Sequence, residues 1–438
     1  MATTIKKKNI PTFYAFFFLI LLVIKDFVGI SIPIIIFTLI WVLVIIFTDE
    51  SISAAFTLSS VICFASILSI TIPCIVYFGM YILRHRTLKR TPILLVSIYI
   101  IVIELLRLIR NPGESLNLYV NSMSVLLLVY AVISEISEDR VDPTICIKYY
   151  LLFFAFLSLD IIWATAKYLG SFQSIVSGGF RIGQVELLDE TATGIFSINA
   201  NGIALMSMLA ISLTMLLYNR KYLSNAIAIF LMIYYSIIGL LTVSKTFILV
   251  YVGFWCLYIC WYSVTNNRNI FKTVALIIAF FVAVRVLWNT DIVQNIIIRF
   301  DVNDLTTGRI DVAGEYLDFM QHNNVASVFG IGLQNVTGKT LLVHVPHNAI
   351  LEIFVCFGGI GIIAYIIFFI SLITTGLYIQ RHGNDTTHSS FINLIPFIVF
   401  FIFIQSLQFL RINYIYASIA VAFAAIAVTG YGSRGVVK

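Results

Sequence analysis

The sequence predicts an all-α polytopic membrane protein of about twelve transmembrane helices, and three observations carry that expectation. The 438 residues are 60% hydrophobic and 11% charged, with a mean hydropathy of +1.01, whereas a soluble domain carries roughly 25% charged residues. The apolar segments run unbroken for roughly twenty residues, the length a helix needs to cross the bilayer core. The basic residues gather in short clusters between those segments, where the topology of a helical membrane protein puts them. A closed β-barrel does not fit, because its strands alternate apolar and polar residues over segments of about ten. An internally hydrogen-bonded helix is then the way to satisfy the backbone in hydrocarbon.

Taken in order, the apolar runs lie near 12–29, 31–47, 53–82, 92–110, 118–134, 149–168, 193–217, 224–243, 246–263, 271–289, 347–379, 389–410 and 413–430. The run 347–379 exceeds what a bilayer needs, so it must tilt or extend beyond the membrane. The chain, 1–438, reads as a single transmembrane domain without a soluble domain, internal repeat or low-complexity tract. Lys6-Lys7-Lys8 before the first run resembles a signal peptide, but no small-residue cleavage site follows, and the first helix is read as retained. The six cysteines fall mostly inside apolar runs, as small buried hydrophobes and not as disulfide or metal partners. No metal or other cofactor is expected. The net charge of +6 is spread over loop clusters, which argues against a nucleic-acid partner and for the membrane lipid.

Lys and Arg in short loops set the orientation. With 84–90, the strongest basic cluster, in the cytoplasm, alternation puts 135–148, 219–221, 266–268 with Lys272, 380–382 and the C-terminal tail on the same side. The opposite face then carries 111–117, an external loop at 169–192, the 244–245 turn, a large external loop at 290–346 and the turn at Arg411. Three apolar runs before residue 84 would leave Lys6–Lys8 outside, against the rule. The favoured solution makes two of those runs one bent or re-entrant element around Lys25 and Asp26, giving twelve spans with both ends inside; the alternative is thirteen with an external N-terminus.

The polar groups able to do chemistry fall on the external side. Arg181 lies in loop 169–192, and Asn199-Ala200-Asn201-Gly202 sits at the outer end of the next span. Ser244-Lys245-Thr246 forms a turn, and Arg309 opens the stretch 307–320. Gln405, Gln408 and Arg411 end a span, three residues apart and so on one helical face. Any one of these cations is explained by snorkelling at the membrane edge. Four on one side, Arg181, Lys245, Arg309 and Arg411, are placed to converge on an anion, and the planar fork of arginine suits phosphate.

Residues 307–320 carry apolar side chains at 310, 313, 316, 317 and 320, the spacing of a short amphipathic helix on the membrane surface. Pro346 is preorganised for a first helical turn, which puts His347 and Asn348 at a helix N-terminus. The dipole there favours a neutral imidazole, available as a general base, and the same helix start can hold a phosphate. The bland reading of a histidine near a helix end is structural. Glu352 lies four residues past Asn348 on the same face, and Gly358-Gly359-Ile360-Gly361 permits close helix packing. Glu104 and Arg107, three apart within a span, are expected to pair locally.

His347-Asn348-Ala349-Ile350-Leu351-Glu352 followed by Gly358-Gly359-Ile360-Gly361 resembles the His-Asn-x-x-Leu-Glu … Gly-x-x-Gly signature of the bacterial O-antigen polymerase and O-antigen ligase superfamily. Thr307-Gly308-Arg309, Phe329-Gly330-Ile331-Gly332, Asn199-x-Asn201-Gly202 and Ser244-Lys245-Thr246 are similar to motifs of that family, over roughly 190–370, although members more often have arginine where this chain has Lys245. The resemblance implies a membrane-embedded C-type glycosyltransferase that uses no nucleotide sugar and no metal. Its donor is a glycan on undecaprenyl diphosphate at the periplasmic leaflet of the bacterial inner membrane, and a flippase and a chain-length regulator are the expected partners.

Joined to the residue reading, the resemblance puts His347, Arg309 and Glu352 in the catalytic group. It puts Arg181, Arg309, Lys245 and Arg411 around the diphosphate, and Asn199, Asn201, Gln334, His344 and Asn348 towards the glycan. Polymerase is the favoured activity, because polymerases are the more divergent members and this chain departs at Lys245. The alternative is a ligase, which joins the finished chain to lipid A–core. A flippase for the same lipid is the alternative from another class; it predicts internal repeats and broken helices with charges near mid-membrane, whereas the polar groups here cluster outside, with Glu104 and Arg107 the main buried exceptions.

Overall fold

The computed structural model describes residues 10–86, 88, 91–110, 116–177, 181–184, 194–265, 309–333, 346–382 and 391–429, with isolated positions between 278 and 298. Among the described residues every regular element is helical. In chain order they are α1 (Ile10–Val23, continued by a π-helical turn Ile24–Val28), α2 (Ile34–Phe47), α3 (Glu50–Phe64), α4 (Thr71–His85), α5 (Pro92–Arg110), α6 (Leu116–Ser137) and α7 (Pro143–Leu169). There follow α8 (Gln173–Ser177), a 3₁₀ turn (Gly194–Ser197), α9 (Ala200–Asn219), α10 (Asn225–Leu241), α11 (Lys245–Thr265), α12 (Arg309–Gln321), α13 (Asn324–Phe329), α14 (Ala349–His382), α15 (Phe391–Ile404) and α16 (Asn413–Ala427).

Five of these helices are long and apolar enough to cross a membrane: Pro92–Ile109, Tyr119–Ser137, Pro143–Leu169, Ala200–Asn219 and Ala349–Arg381. Shorter apolar helices precede, separate and follow them. Large apolar side chains such as Ile35, Leu106, Phe230, Leu249, Ile363 and Ile366 point outward. A soluble protein rarely leaves so much apolar surface contiguous, so the surface fits a chain embedded in lipid that crosses it several times. The run 271–289 lies outside the described residues apart from isolated positions.

Four helices precede Arg86, because the run 53–82 is cut at 65–70 into α3 and α4. The chain therefore does not meet the parity requirement with one bent element at Lys25-Asp26. Those residues simply continue α1 as its π-helical turn. α2, α3 and α4 have 14, 15 and 15 residues, about 21–23 Å at 1.5 Å per residue. Contacts define the end that holds Arg84. Arg84 Nη2 donates to Ile45 O (3.3 Å), His85 Nε2 meets Glu135 Oε1 (3.2 Å), and Asp142 N donates to Ser51 Oγ (2.9 Å).

The centre of the molecule is α16, buried from Tyr414 to Ala427, packed against α3, α6, α7, α14 and α15. A helix apolar all round belongs in a core, and its alanines let the neighbours approach closely. Asn393 fastens its C-terminal end. Asn393 Nδ2 donates to Ala425 O (3.0 Å) and Val428 O (2.7 Å), and its Oδ1 accepts from Arg220 Nε (3.0 Å). Arg220, expected as a loop cation, is thus almost wholly buried as an anchor between helices.

α14 is broken. Gly358 has φ 67° and ψ −164°, a left-handed-side backbone that glycine adopts without penalty. The break strips carbonyls of Val355 and Cys356 of helical partners, and a neighbouring segment supplies them: Ile331 N donates to Val355 O (2.8 Å) and Gly332 N to Cys356 O (2.9 Å). The glycine stretch at 358–361, expected to serve helix packing, thus admits the 330–332 segment into the helix itself. A Cβ at Gly358 would lie 2.3 Å from Val328 C and O, whereas one at Gly359 meets nothing closer than Ser327 O at 3.6 Å. Gly358→Ala should therefore cost about 1–3 kcal/mol from overpacking, added to about 1–2 kcal/mol of left-handed strain. The thermal midpoint in detergent, read beside Gly359→Ala, checks this; equal midpoints for the two variants would contradict it.

Candidate functional site

α12 begins at Arg309 and runs to Gln321, as the apolar spacing predicted. Its residues separate into two sets. Tyr316 and Met320 are buried against the protein, whereas Ile310 and Leu317 are exposed along a cavity. Burial pushes the Tyr316 phenol up to about 12, with nearby Cys356 adding to the rise and the Arg411 guanidinium pulling the other way.

The start of α14 forms the opposite wall. The helix begins at Ala349, so Pro346 stands ahead of the cap instead of in the first turn. Asn348 is the cap: its Oδ1 accepts from Leu351 N (3.0 Å), and its Nδ2 donates to Gln405 O (3.3 Å). His347, one residue ahead of the cap, is exposed.

Between α12 and α14 lies a cavity of about 710 Å³, lined by Arg309, His347, Asn348 and Gln405 and walled by Leu317 and Phe354 among other apolar side chains. Burial lowers the pKa of the Arg309 guanidinium from its ordinary value. It stays a cation near neutrality, partly stripped of water and so favourable to an incoming anion. A polar end and an apolar wall in one cavity suit an amphiphile with a charged head.

Glu352 is placed differently from expectation. It is fully buried, and its Oε2 accepts from the backbone amides of Phe409 and Leu410 (the latter at 3.0 Å). It holds the 405–411 turn and stands within electrostatic reach of Arg411. Gln405, Gln408 and Arg411 do not share a helical face, because α15 ends at Ile404 and the following residues form a non-helical turn. Arg411 instead lies within electrostatic reach of Tyr316 and Glu352 and does not line the cavity.

A second cluster collects the other expected residues. Arg181 Nε donates to Thr242 O (2.9 Å), and Ile182 N to Leu241 O (3.1 Å), tying this loop to the end of α10. Ser244 Oγ donates to Asn201 Oδ1 (2.9 Å), Asn199 Oδ1 caps α9 by accepting from Gly202 N (2.8 Å), and Lys245 opens α11. Arg181 and Lys245 are therefore not among the residues lining the Arg309 cavity. Gly202 of this cluster abuts Tyr414, where a Cβ would lie 2.3 Å from the hydroxyl; Tyr414 is the second residue of α16, three positions after Arg411. Gln334 and His344 lie outside the described residues.

Two residues outside the expected site brace it. Arg107 Nη1 donates to Glu104 Oε1 (2.9 Å) and Cys356 O (3.0 Å), and its Nη2 donates to Phe329 O (2.7 Å) and Gly330 O (3.0 Å). Glu104 Oε1 also accepts from Leu333 N (3.2 Å). The local pairing was legible from the spacing of three. The reach to 329–333, over 200 residues along the chain, was not.

A scan against protein-family models finds none that matches this chain, and a search of curated proteins finds no match.

Proposed function

We propose that this chain is an O-antigen polymerase of the bacterial inner membrane. It joins oligosaccharide repeat units carried on undecaprenyl diphosphate, at the periplasmic end of its membrane helices. The observation that carries the reading is the cavity shared by Arg309, His347 and Asn348, with apolar walls beside its cation. Such a site suits a lipid diphosphate: the guanidinium meets the phosphates, the helix start adds its positive end, and the apolar wall takes the first prenyl units.

A hydroxyl of the incoming unit attacks the anomeric carbon of the growing chain. The new C–O bond forms as the bond from that carbon to the diphosphate breaks. His347 takes the hydroxyl proton, and undecaprenyl diphosphate departs with the bonding pair. The leaving group is already charged, so the demand on the protein is for cations and a base. Arg309 meets the diphosphate first, with Arg411 behind it. Glu352 acts by holding the turn that carries Arg411. Arg181, Lys245, Asn199 and Asn201 serve the glycan side of the same end. A flippase supplying the donor and a chain-length regulator are the partners this reading implies.

Purified chain in lipid nanodiscs, given lipid-linked repeat units alone, should convert them to a ladder of longer glycans. Units moved across a bilayer without elongation would instead make it a transporter. Transfer only when lipid A–core is supplied would make it a ligase.

A further inference from the structure

A second cavity, of about 370 Å³, opens at the same end of the bundle, between the π-helical turn of α1 and the last turns of α7. Asp26, Asp160, Trp163, Lys167, Tyr168 and Ile195 line it. Residues 160, 163, 164, 167 and 168 recur at helical spacing, so one face of α7 supplies most of the wall. Ile195 comes from the 3₁₀ turn that runs into the Asn199 cap, which puts this cavity beside the Arg181 cluster.

The polar inventory is unusual. Asp160 is 7% exposed, yet its Oδ1, together with Asp26 Oδ2 and Trp163 Nε1, is buried with no hydrogen-bond partner among the described residues. The Asp26 and Asp160 carboxyls line this cavity together with the indole. Lys25 Nζ pairs with the other oxygen of Asp26, Oδ1, at 2.9 Å. Buried polar groups left open in a cavity are expensive, so a ligand is the natural partner.

Charge selects its class. The carboxyl pair repels an anion, while Lys167 in the lining and Lys25, held on Asp26, repel a bare cation. A neutral ligand rich in hydroxyls answers both sides, because each hydroxyl donates to a carboxylate and accepts from the indole N–H. Tyr168 and Phe172, each about half exposed, offer flat apolar faces for a ring, and Trp163 is held by stacking on Phe27 at 5.2 Å between centroids. The volume lies in the range of small-molecule sites, roughly 300–1,000 Å³.

We propose that this cavity is a saccharide subsite that takes a neutral pyranose of the glycan, apart from the Arg309 cavity where transfer occurs. The choice of a sugar among hydroxylated ligands rests on the proposed glycan transfer. The test is binding of neutral oligosaccharide, released by mild acid from the glycan of cells that express the chain, to the full-length protein in nanodiscs. Wild type should bind it. Asp160→Asn, which keeps size, and Trp163→Phe, which keeps the Phe27 contact, should each weaken binding roughly tenfold or more. His347→Ala, silent in transfer, should bind like wild type.

Equal binding by wild type, Asp160→Asn and Trp163→Phe would overturn the subsite, as would no binding by wild type. Competition by sodium ions and not by unlabelled oligosaccharide would assign the cavity to a cation and overturn it too. A chain that never elongates glycan yet binds sugar through Asp160 would retain the subsite and lose the transfer reading.

Discussion

His347→Ala lowers glycan elongation by about 100- to 10,000-fold, the usual worth of a general base, while the variant inserts into the membrane at the parent level. The second half of that expectation comes from where the residue sits. His347 is exposed and precedes the helix, whereas Asn348 makes the capping bond to Leu351 N. Removing the imidazole therefore leaves the start of α14 intact. The loss should appear in the rate at saturating lipid-linked units, since in the proposed mechanism the base acts on the acceptor hydroxyl in the transition state and Arg309 holds the donor diphosphate. Added imidazole should restore part of the rate in nanodiscs. A variant that still builds long glycans would remove His347 from the mechanism and leave the cavity as a binding site only.

The helical class and the gathering of polar groups at one end are legible in the sequence because both follow from hydropathy. Lys and Arg positions alternate with apolar runs, and the contacts at 45–51, 84–85 and 135–142 close up the end those positions assign to the cytoplasm. Arg309 as the first residue of a helix was legible for the same reason, since 310, 313, 316, 317 and 320 repeat at helical spacing. What fails to show is any backbone break inside an apolar stretch. Leu407, Phe409 and Leu410 are as buried as helical core residues, so the 405–411 turn reads as more helix. Its amides are satisfied by Glu352, 57 positions away in sequence at Phe409, a partner that spacing cannot reveal.

The cut at 65–70 carried a visible signal: Pro73 falls in the first turn of α4, where proline is tolerated, and hydropathy alone hides it. The expected grouping of four cations is a matter of packing and not of hydropathy: Arg181 gives its Nε to Thr242 O, and neither it nor Lys245 lines the Arg309 cavity.

Arg107→Ala should be the most destabilising single change near the site, at about 3–5 kcal/mol, the cost of removing one partner from a buried ion pair. Glu104 is 3% exposed, so the variant leaves a carboxylate in a low-dielectric place without its cation. It also takes the guanidinium's bonds from the carbonyls of Phe329 and Gly330 and leaves that of Cys356 with the Gly332 amide alone. Those three carbonyls mark the junction where the 330–332 segment enters the break of α14. Loosening them frees the lower part of the helix whose start presents His347 and Asn348, so transfer should fall along with the thermal midpoint. The Arg107 side chain lies hard against this segment, since a Cβ on Gly332 would sit 2.8 Å from Arg107 Cδ, so the variant leaves a gap there as well. Removing both charges together, as Glu104→Leu with Arg107→Met, should recover a substantial part of the stability, since an apolar pair of similar volume leaves no buried ion behind. A thermal midpoint in detergent that is unchanged by Arg107→Ala, or a double variant as unstable as the single one, would mean that the ion pair does not hold this junction.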